Sequence, residues 1–216
     1  MYLTPQEQQQ INGLVAEVEA ATGAQVLAAV IGKADAYPEI PWRAFAAGAA
    51  AAALAVALHG WLRPDWVAPH PALLHAVAIL GAGAACGLLT VFVPAFARLF
   101  VDRLRADAEV RQHAQALFLE HELFRTPQRT GILLLISRFE REVVILADTA
   151  ARSRLGETGL QAIISRMTPP LAAGRTAAAL DAGLHALKAR LLDSGLRANG
   201  GGTDDVAARL VEQKGA

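Results

Sequence analysis

Two long apolar runs lie in the middle of this 216-residue chain, and shorter apolar patterns lie on either side of them. The runs cover residues 42–62 and 73–94. Because a helix rises 1.5 Å per residue, about 20 residues match the roughly 30 Å hydrocarbon core of a bilayer. The segment between the runs, 63–71, is too rich in proline to continue a helix. The pattern therefore predicts a transmembrane helical hairpin within residues 41–97.

A helical hairpin buried in a larger soluble core is the alternative interpretation of the two runs. The first run is rich in alanine and is therefore only moderately hydrophobic. Runs of 18 or more uncharged apolar residues nevertheless favour a membrane span over a core helix. In addition, Trp42, Trp61 and Trp66 flank the runs, at the positions where amphipathic rings prefer to lie in a membrane interface. We therefore expect two membrane spans and a lipid bilayer as the partner of this region.

The basic residues around the predicted spans are distributed unequally. Two lie before or at the start of the first span, one lies between the spans and four follow the second span: Lys33 and Arg43, then Arg63, then Arg98, Arg103, Arg105 and Arg111. Because cytoplasmic flanks carry the excess of Lys and Arg, both termini are expected in the cytoplasm. The predicted location is a multi-pass position in the cell (inner) membrane.

Before the hairpin, the chain has the pattern of one helix followed by one strand. Thr4 and Glu7 have the spacing of a capping box at the start of the helix, and Gly23 ends it. The apolar run 25–31 has the length and the β-branched residues of a buried strand. One helix and one strand cannot bury a core, so they need the chain beyond the hairpin to complete a domain.

After the hairpin, the pattern predicts in order a helix, two strands, two helices and a flexible tail: residues 100–124, 131–137, 142–148, 159–167, 176–192 and 196–216. The short charged turn between the two strands favours an antiparallel pair. Together with the first helix and strand, these elements predict one α/β domain made of residues 1–37 and 99–195. The transmembrane hairpin interrupts this domain after its first strand.

Composition narrows the class of protein. Hydrophobic residues make up 54% of the chain, charged residues make up 19%, and the formal net charge is zero. These values exclude a disordered chain and give no basic surface for nucleic acid. Only two of the 40 charged residues, Arg63 and Asp65, lie within residues 44–97, so the apolar excess belongs to the hairpin. Cys86 is the single cysteine, so no internal disulfide can form.

Small residues and histidines in the hairpin have two interpretations each. Gly83 and Gly87 have the spacing that lets helices approach closely in lipid, either within the hairpin or in a homo-oligomer. His59, His70 and His75 lie near the predicted outer end. Because no carboxylate or cysteine partner supports them at ligand spacing, apart from a lone aspartate, we interpret them as interfacial side chains and not as metal ligands.

Three segments of the polar chain resemble the TPM domain family. They read LTPQEQQQINGLVAEVEAATGAQVLAAVIGKADAY, FRTPQRTGILLLISRFEREVVILAD and ISRMTPPLAAGRTAAALDAGLHALKARL. The most specific part is the run TGILLLIS, with the FE pair after it and the AD pair that ends the next strand. The resemblance covers residues 3–37 and 99–193, and the chain is similar to bacterial membrane members in which a transmembrane hairpin interrupts the domain.

This resemblance implies an α/β sandwich with a small mixed sheet and helices on both faces. For function it implies several alternatives, because one plant member has been described as an acid phosphatase, some members bind calcium, and others are accessory proteins of membrane complexes. The chain departs from the pattern of many members at Gly23, which is followed by Ala24-Gln25 where they have Gly-Glu. A carboxylate is thus missing at the edge of the implied cleft, which weakens the case for metal-assisted chemistry.

Asp35 and Asp148 are the two candidate site residues. Asp35 follows the first predicted strand and Asp148 ends the third. Each matches a position where the family carries acidic residues, so the pair could bind Ca²⁺ or Mg²⁺. The alternative is that Asp35 caps a loop and Asp148 caps the next helix. Two carboxylates are too few for a metal cage without backbone oxygens or water. No catalytic residue is predicted, because no phosphate-binding loop or nucleophile motif accompanies the pair.

The sequence therefore predicts an integral membrane protein with a cytoplasmic TPM-like domain that acts as a non-catalytic accessory or scaffold for an unknown membrane-protein partner. The alternative is a weak divalent-metal-dependent phosphatase, or a calcium-binding domain, that uses Asp35 and Asp148.

Overall fold

The computed structural model describes residues 2–63, 71–198 and 210–215. The chain divides into two compact units. The α/β unit comprises Met1–Asp35 and Ala106–Ala216, and the hairpin unit comprises Ala36–Arg105.

The α/β unit contains four strands and four helices among its described residues. They are α1 (Pro5–Thr22), β1 (Gln25–Ile31), α5 (Arg103–Glu120, which starts three residues before the unit does), β2 (Gly131–Ser137), β3 (Glu142–Ala147), α6 (Thr149–Ala172), α7 (Thr176–Asp193) and β4 (Leu210–Gln213). A short 3-10 helix, Leu123–Arg125, precedes β2. The order of elements predicted from the sequence is confirmed up to α7.

The strands form one mixed sheet in the order β3-β2-β1-β4. β1 is parallel to both β2 and β4, and β2 is antiparallel to β3. Alternate side chains of β1 point to opposite faces, so that Val26 packs with α1, α6 and α7 while Leu27 packs with α5. Burial on both faces explains why β1 and β2 are continuous apolar runs. The predicted α/β sandwich with helices on both faces is confirmed.

The start of α1 follows from its sequence. The Thr4 hydroxyl accepts a hydrogen bond from the Glu7 N–H, and the Glu7 carboxylate accepts from the Thr4 N–H at 2.7 Å. Gly23 ends the helix with φ at 71°, a left-handed conformation that glycine adopts without strain. Ile11 and Val15 then face the sheet and are buried.

The C-terminal end differs from the prediction. Residues 196–216 were expected to be a flexible tail, but Leu210–Gln213 form β4 beside β1. The expectation is therefore wrong for these residues, because pairing with a strand far away in sequence leaves no local signal. Residues 199–209, which include part of the predicted tail, lie outside the described part of the chain.

Glu212 of β4 fixes the start of the chain. Its carboxylate accepts hydrogen bonds from the Tyr2 N–H at 2.9 Å, the Leu3 N–H at 3.2 Å and the Gln8 side-chain amide at 3.1 Å. The sheet edge and the N-terminus are thus held by one charged side chain.

Glu212→Ala is expected to lower the free energy of unfolding by about 2 kcal/mol, because hydrogen bonds to a charged acceptor contribute most. Chemical denaturation of the detergent-solubilised protein measures this change. Gln10→Ala is the control, since it removes only an exposed hydrogen bond to Asp181. An equal, small effect of both substitutions would show that β4 does not anchor the N-terminus.

α6 is longer than the predicted helix over 159–167. It runs from Thr149 to Ala172, with a break at Gly156, where φ is 64° and ψ is 169°. Pro169 and Pro170 lie in its last turn and not beyond its end. Each proline lacks an N–H donor, and its ring crowds the carbonyl four residues earlier, so the helix ends within a few residues, at Ala172.

The hairpin unit contains two long helices, α2 (Glu39–Leu62) and α3 (Pro71–Phe92), followed by α4 (Pro94–Ala97) and a 3-10 helix, Arg98–Phe100. Both long helices are long and apolar enough to cross a membrane. In the most apolar 18-residue stretch of each helix, no residue is buried in α2 and 6% of the residues are buried in α3. The described part of the chain therefore does not provide the larger core that the alternative interpretation requires. Residues 64–70, which include Trp66 and His70, lie outside the described residues.

The small residues of the hairpin serve packing between α2 and α3. A Cβ atom on Gly48 would lie 2.7 Å from the Cys86 sulfur, and one on Gly83 would lie 3.0 Å from the Phe45 ring. A Cβ atom on Gly87 would lie 3.3 Å from the Pro41 carbonyl oxygen. Gly83 and Gly87 therefore contact α2 of the same chain, and a homo-oligomer through these glycines stays a prediction that competes with this packing.

Candidate functional site

Asp148 lies at the junction between β3 and α6. Its Oδ1 atom accepts a hydrogen bond from the Thr149 N–H at 2.7 Å and one from the Thr149 hydroxyl at 3.1 Å. Its Oδ2 atom lies 3.0 Å from Arg129 Nε, and the side chain is 5% exposed. The aspartate is thus the N-cap of α6 and the buried half of an ion pair, as the capping interpretation predicts.

Arg129 supports the same junction with its backbone. It adopts a left-handed conformation, with φ at 55°. Its carbonyl oxygen accepts hydrogen bonds from the N–H groups of Ala150, at 3.1 Å, and Ala151, at 3.4 Å. These bonds satisfy donors that the first turn of a helix leaves unpaired.

The structure does not bring Asp35 and Asp148 together. Asp148 follows β3 and donates its N–H to the Gly131 carbonyl at the start of β2. Asp35 follows β1, whose last residue, Ile31, pairs with Ser137 at the end of β2. The two aspartates therefore lie at opposite ends of the sheet, about 20 Å apart at 3.3 Å per strand residue. The shared Ca²⁺ or Mg²⁺ site that the sequence suggests would need them at one end.

The reason for this separation is the direction of β3. The carboxyl ends of strands meet at one edge only when the strands are parallel. β3 is antiparallel to β2, and β2 is parallel to β1, so the end of β3 lies at the start of β1. Among the described residues, no group of three or more His, Cys, Asp or Glu side chains is arranged to hold a metal ion.

A surface cleft of about 670 Å³ lies beside Asp148. The end of β3, the start of α6 and the second half of α5 form its walls, with Phe118, Leu119 and Leu146 as apolar lining and Gln115 and Arg152 as polar lining. This cleft can take a partly apolar group next to a cationic side chain.

A second polar cluster lies at the opposite end of the sheet, and the sequence analysis missed it. Glu140, in the turn between β2 and β3, accepts a hydrogen bond from the Ala34 N–H at 2.9 Å and a short one from the Ser137 hydroxyl. Glu142 starts β3 and lies against Asp107 of α5. The signal in the sequence is one glutamate in a tight turn and a second at the start of the next strand, a pattern that does not differ from that of a solvent-exposed turn.

The environment of Glu142 changes its acidity. Burial removes water from the carboxylate, and the neighbouring Asp107 and Glu140 disfavour its charge, so the pKa of Glu142 rises from 4.5 to about 7, against a smaller opposing effect of Arg111. Near neutral pH this side chain therefore binds a proton that an exposed glutamate would release.

Glu142→Gln is expected to stabilise the protein at pH 8 and to leave it unchanged below pH 4.5. Because the pKa is raised in the folded state, the contribution of the protonated group is complete below 4.5 and is lost as the pH rises through about 7. The side chain is only partly buried, so screening by water limits the gain to about 1 kcal/mol, or roughly 2–4 °C in Tm. Thermal unfolding against pH measures it.

The control is Glu157→Gln on α6, where the side chain is 70% exposed. Its Tm should follow that of the wild type at every pH. Parallel pH profiles for Glu142→Gln and the wild type would contradict the raised pKa.

Comparisons with known proteins agree with this architecture. The TPM domain model matches residues 95–190. The NMR structure of the BA42 protein from the psychrophilic bacterium Bizionia argentinensis sp. nov. superposes with a TM-score of 0.58, covering 99% of this chain and 97% of that one. Sequence identity is 10%, so this similarity concerns the fold. No curated protein is significantly similar to the chain in sequence.

The matched segment contains α5, α6 and most of α7 but not β1. β1 nevertheless pairs with β2 along all seven of its residues and lies inside the sheet, so the N-terminal segment completes the same domain. The family match therefore shows a TPM domain over residues 95–190, and the whole fold is similar to that of BA42, with two long apolar helices between β1 and β2.

Proposed function

We propose that this chain is an integral protein of a bacterial inner membrane that holds its TPM domain in the cytoplasm and acts there as a non-catalytic accessory or scaffold. The observation that carries the proposal is the exposed apolar surface of the inserted hairpin. In α3, for example, Val77 is 61% exposed and Leu80 is 59% exposed. A contiguous apolar surface of this extent needs a bilayer or another protein to cover it.

We expect lipid, and not a water-soluble protein, to cover this surface. Both long helices lack charged residues through their central turns, and their ends carry Trp42 and Trp61. The four arginines between Arg98 and Arg111 follow α3, against one between the spans, which favours a cytoplasmic domain.

The geometry around Asp148 supports an accessory role over a metal-dependent phosphatase. Its carboxylate caps α6 and pairs with Arg129, and Asp35 lies at the other end of the sheet. These contacts support a structural role for Asp148. Paired-metal phosphoryl transfer, in contrast, needs several carboxylates that reach the same metal site.

Affinity capture of the full-length protein from membranes in mild detergent tests the accessory role. A membrane protein that co-purifies stoichiometrically, and that is lost when exposed residues of the α/β unit are substituted, would support it. The competing function is tested with a generic phosphomonoester, with and without Ca²⁺ or Mg²⁺. Metal-dependent turnover that Asp148→Ala abolishes, while the Tm stays unchanged, would overturn the proposal.

A further inference from the structure

The open end of the hairpin is held together by polar contacts. Arg43, in the first turns of α2, donates a hydrogen bond from Nη1 to the Phe100 carbonyl oxygen at 3.1 Å. Arg105, at the start of α5, forms an ion pair with Glu39 at 2.9 Å, and its guanidinium lies 5.7 Å from the centre of the Tyr37 ring. The segment after α3 is therefore fixed beside the beginning of α2.

Large apolar side chains surround these contacts and remain exposed. Trp42 is 73% exposed, Leu99 is 75% exposed and Leu104 is 83% exposed. The backbone here is not a continuation of α3, which ends at Phe92 and is followed by short helical turns. We call Trp42, Arg98, Leu99, Arg103 and Leu104 the hairpin base.

The two segments that meet here, residues 39–43 and 98–105, have a positive net charge. They contain four arginines (Arg43, Arg98, Arg103 and Arg105) and two carboxylates (Glu39 and Asp102), which gives a net charge of +2. Glu39 is paired with Arg105, and Asp102 accepts a hydrogen bond from the Leu104 N–H at 3.0 Å, where it caps the start of α5. Both carboxylates therefore already have cationic or N–H partners, while Arg103 is exposed.

We propose that the hairpin base binds anionic phospholipid headgroups, with Arg98 and Arg103 contacting the phosphates and Trp42, Leu99 and Leu104 entering the acyl boundary. This inference rests on the proposed membrane anchorage, because the base is continuous with the two spans. Each guanidinium has five N–H donors, so Arg98 can contact a phosphate and keep its contacts within the protein. Exposed leucines beside arginines match an interface that is apolar on one side and charged on the other.

Energy transfer from Trp42 to a dansyl-labelled lipid tests the inference. The full chain, with Trp61→Phe and Trp66→Phe so that Trp42 is the single donor, is reconstituted into phosphatidylcholine vesicles. A small fraction of either dansyl-phosphatidylglycerol or dansyl-phosphatidylcholine is added. We expect greater transfer to the anionic lipid, and a preference that falls about fivefold for each arginine removed in Arg98→Gln and Arg103→Gln.

Arg166→Gln with Arg175→Gln, in the α/β unit, is the matched control and should keep the preference. High salt should weaken the preference, because headgroup binding is electrostatic. Carbonate extraction of each sample separates the two claims. Protein that is not integrated contradicts the anchorage itself. Integrated protein with equal transfer to both lipids, or with a preference that survives both substitutions, overturns the inference about the hairpin base alone.

Discussion

Gly131→Ala is expected to destabilise the α/β unit by about 3 kcal/mol, a large part of the stability of a typical domain. Gly131 starts β2, and a Cβ atom there would clash with the Leu123 carbonyl oxygen. The neighbouring atom belongs to the backbone of the 3-10 helix before β2, so it cannot move aside as a flexible side chain could. Either β2 or this helix must shift. Denaturation of the detergent-solubilised protein, followed by circular dichroism, measures the loss.

Gly13→Ala is the control for this substitution. Gly13 lies in α1 with no atom within 4 Å of the added Cβ. Alanine there should stabilise the protein by about 0.5–1 kcal/mol, because alanine forms helices better than glycine. If both substitutions changed stability by a similar amount, the close packing of β2 against the segment before it would be wrong.

Leu80→Asp is expected to reduce the fraction of protein that resists carbonate extraction. Leu80 lies near the middle of α3, and a charged aspartate at the centre of a span costs about 3 kcal/mol of insertion free energy, to which the lost leucine adds about 0.5 kcal/mol. The readout is the membrane-integrated fraction after alkaline washing, by immunoblot. A free energy of this size shifts an insertion equilibrium by more than about a hundredfold.

Leu119→Asp is the matched control, because Leu119 of α5 is 62% exposed and Leu80 is 59% exposed. Leu119 lies in the α/β unit, where an exposed aspartate is solvated. The integrated fraction should stay at the wild-type level. Equal behaviour of the two variants would show that lipid does not surround Leu80.

Elements with local signals could be predicted from the sequence. The capping box at Thr4 and Glu7 involves neighbouring residues, so its pattern survives in the linear chain. β1 and β2 are buried on both faces, and their apolar runs show this directly. The antiparallel pairing of β2 with β3 follows from the short turn between them.

Elements that depend on distant partners could not be predicted. β4 has two apolar residues followed by Glu and Gln, and it is a strand because β1 pairs with it from more than 170 positions away. The two candidate metal ligands are separated for a related reason. Asp35 and Asp148 each follow a strand, but the antiparallel direction of β3 places them at opposite ends of the sheet.

The acidic cluster shows a further limit. Glu140 lies in a turn that looks solvated in the sequence and Glu142 starts the strand after it, and only the fold places Ala34 and Asp107 beside them. Burial and neighbouring charge, which set the pKa of Glu142, are properties of the packed chain.

The central claim is that the hairpin crosses a membrane and leaves the TPM domain in the cytoplasm, and thiol labelling in intact cells tests it most directly. In a Cys86→Ala background, single cysteines are placed by Trp61→Cys, at the end of α2, and by Lys188→Cys, on α7. The account predicts that a membrane-impermeant maleimide labels the first from outside and the second only after the cells are permeabilised. Labelling of the cysteine at position 188 in intact cells, or protection of the one at position 61, would contradict it.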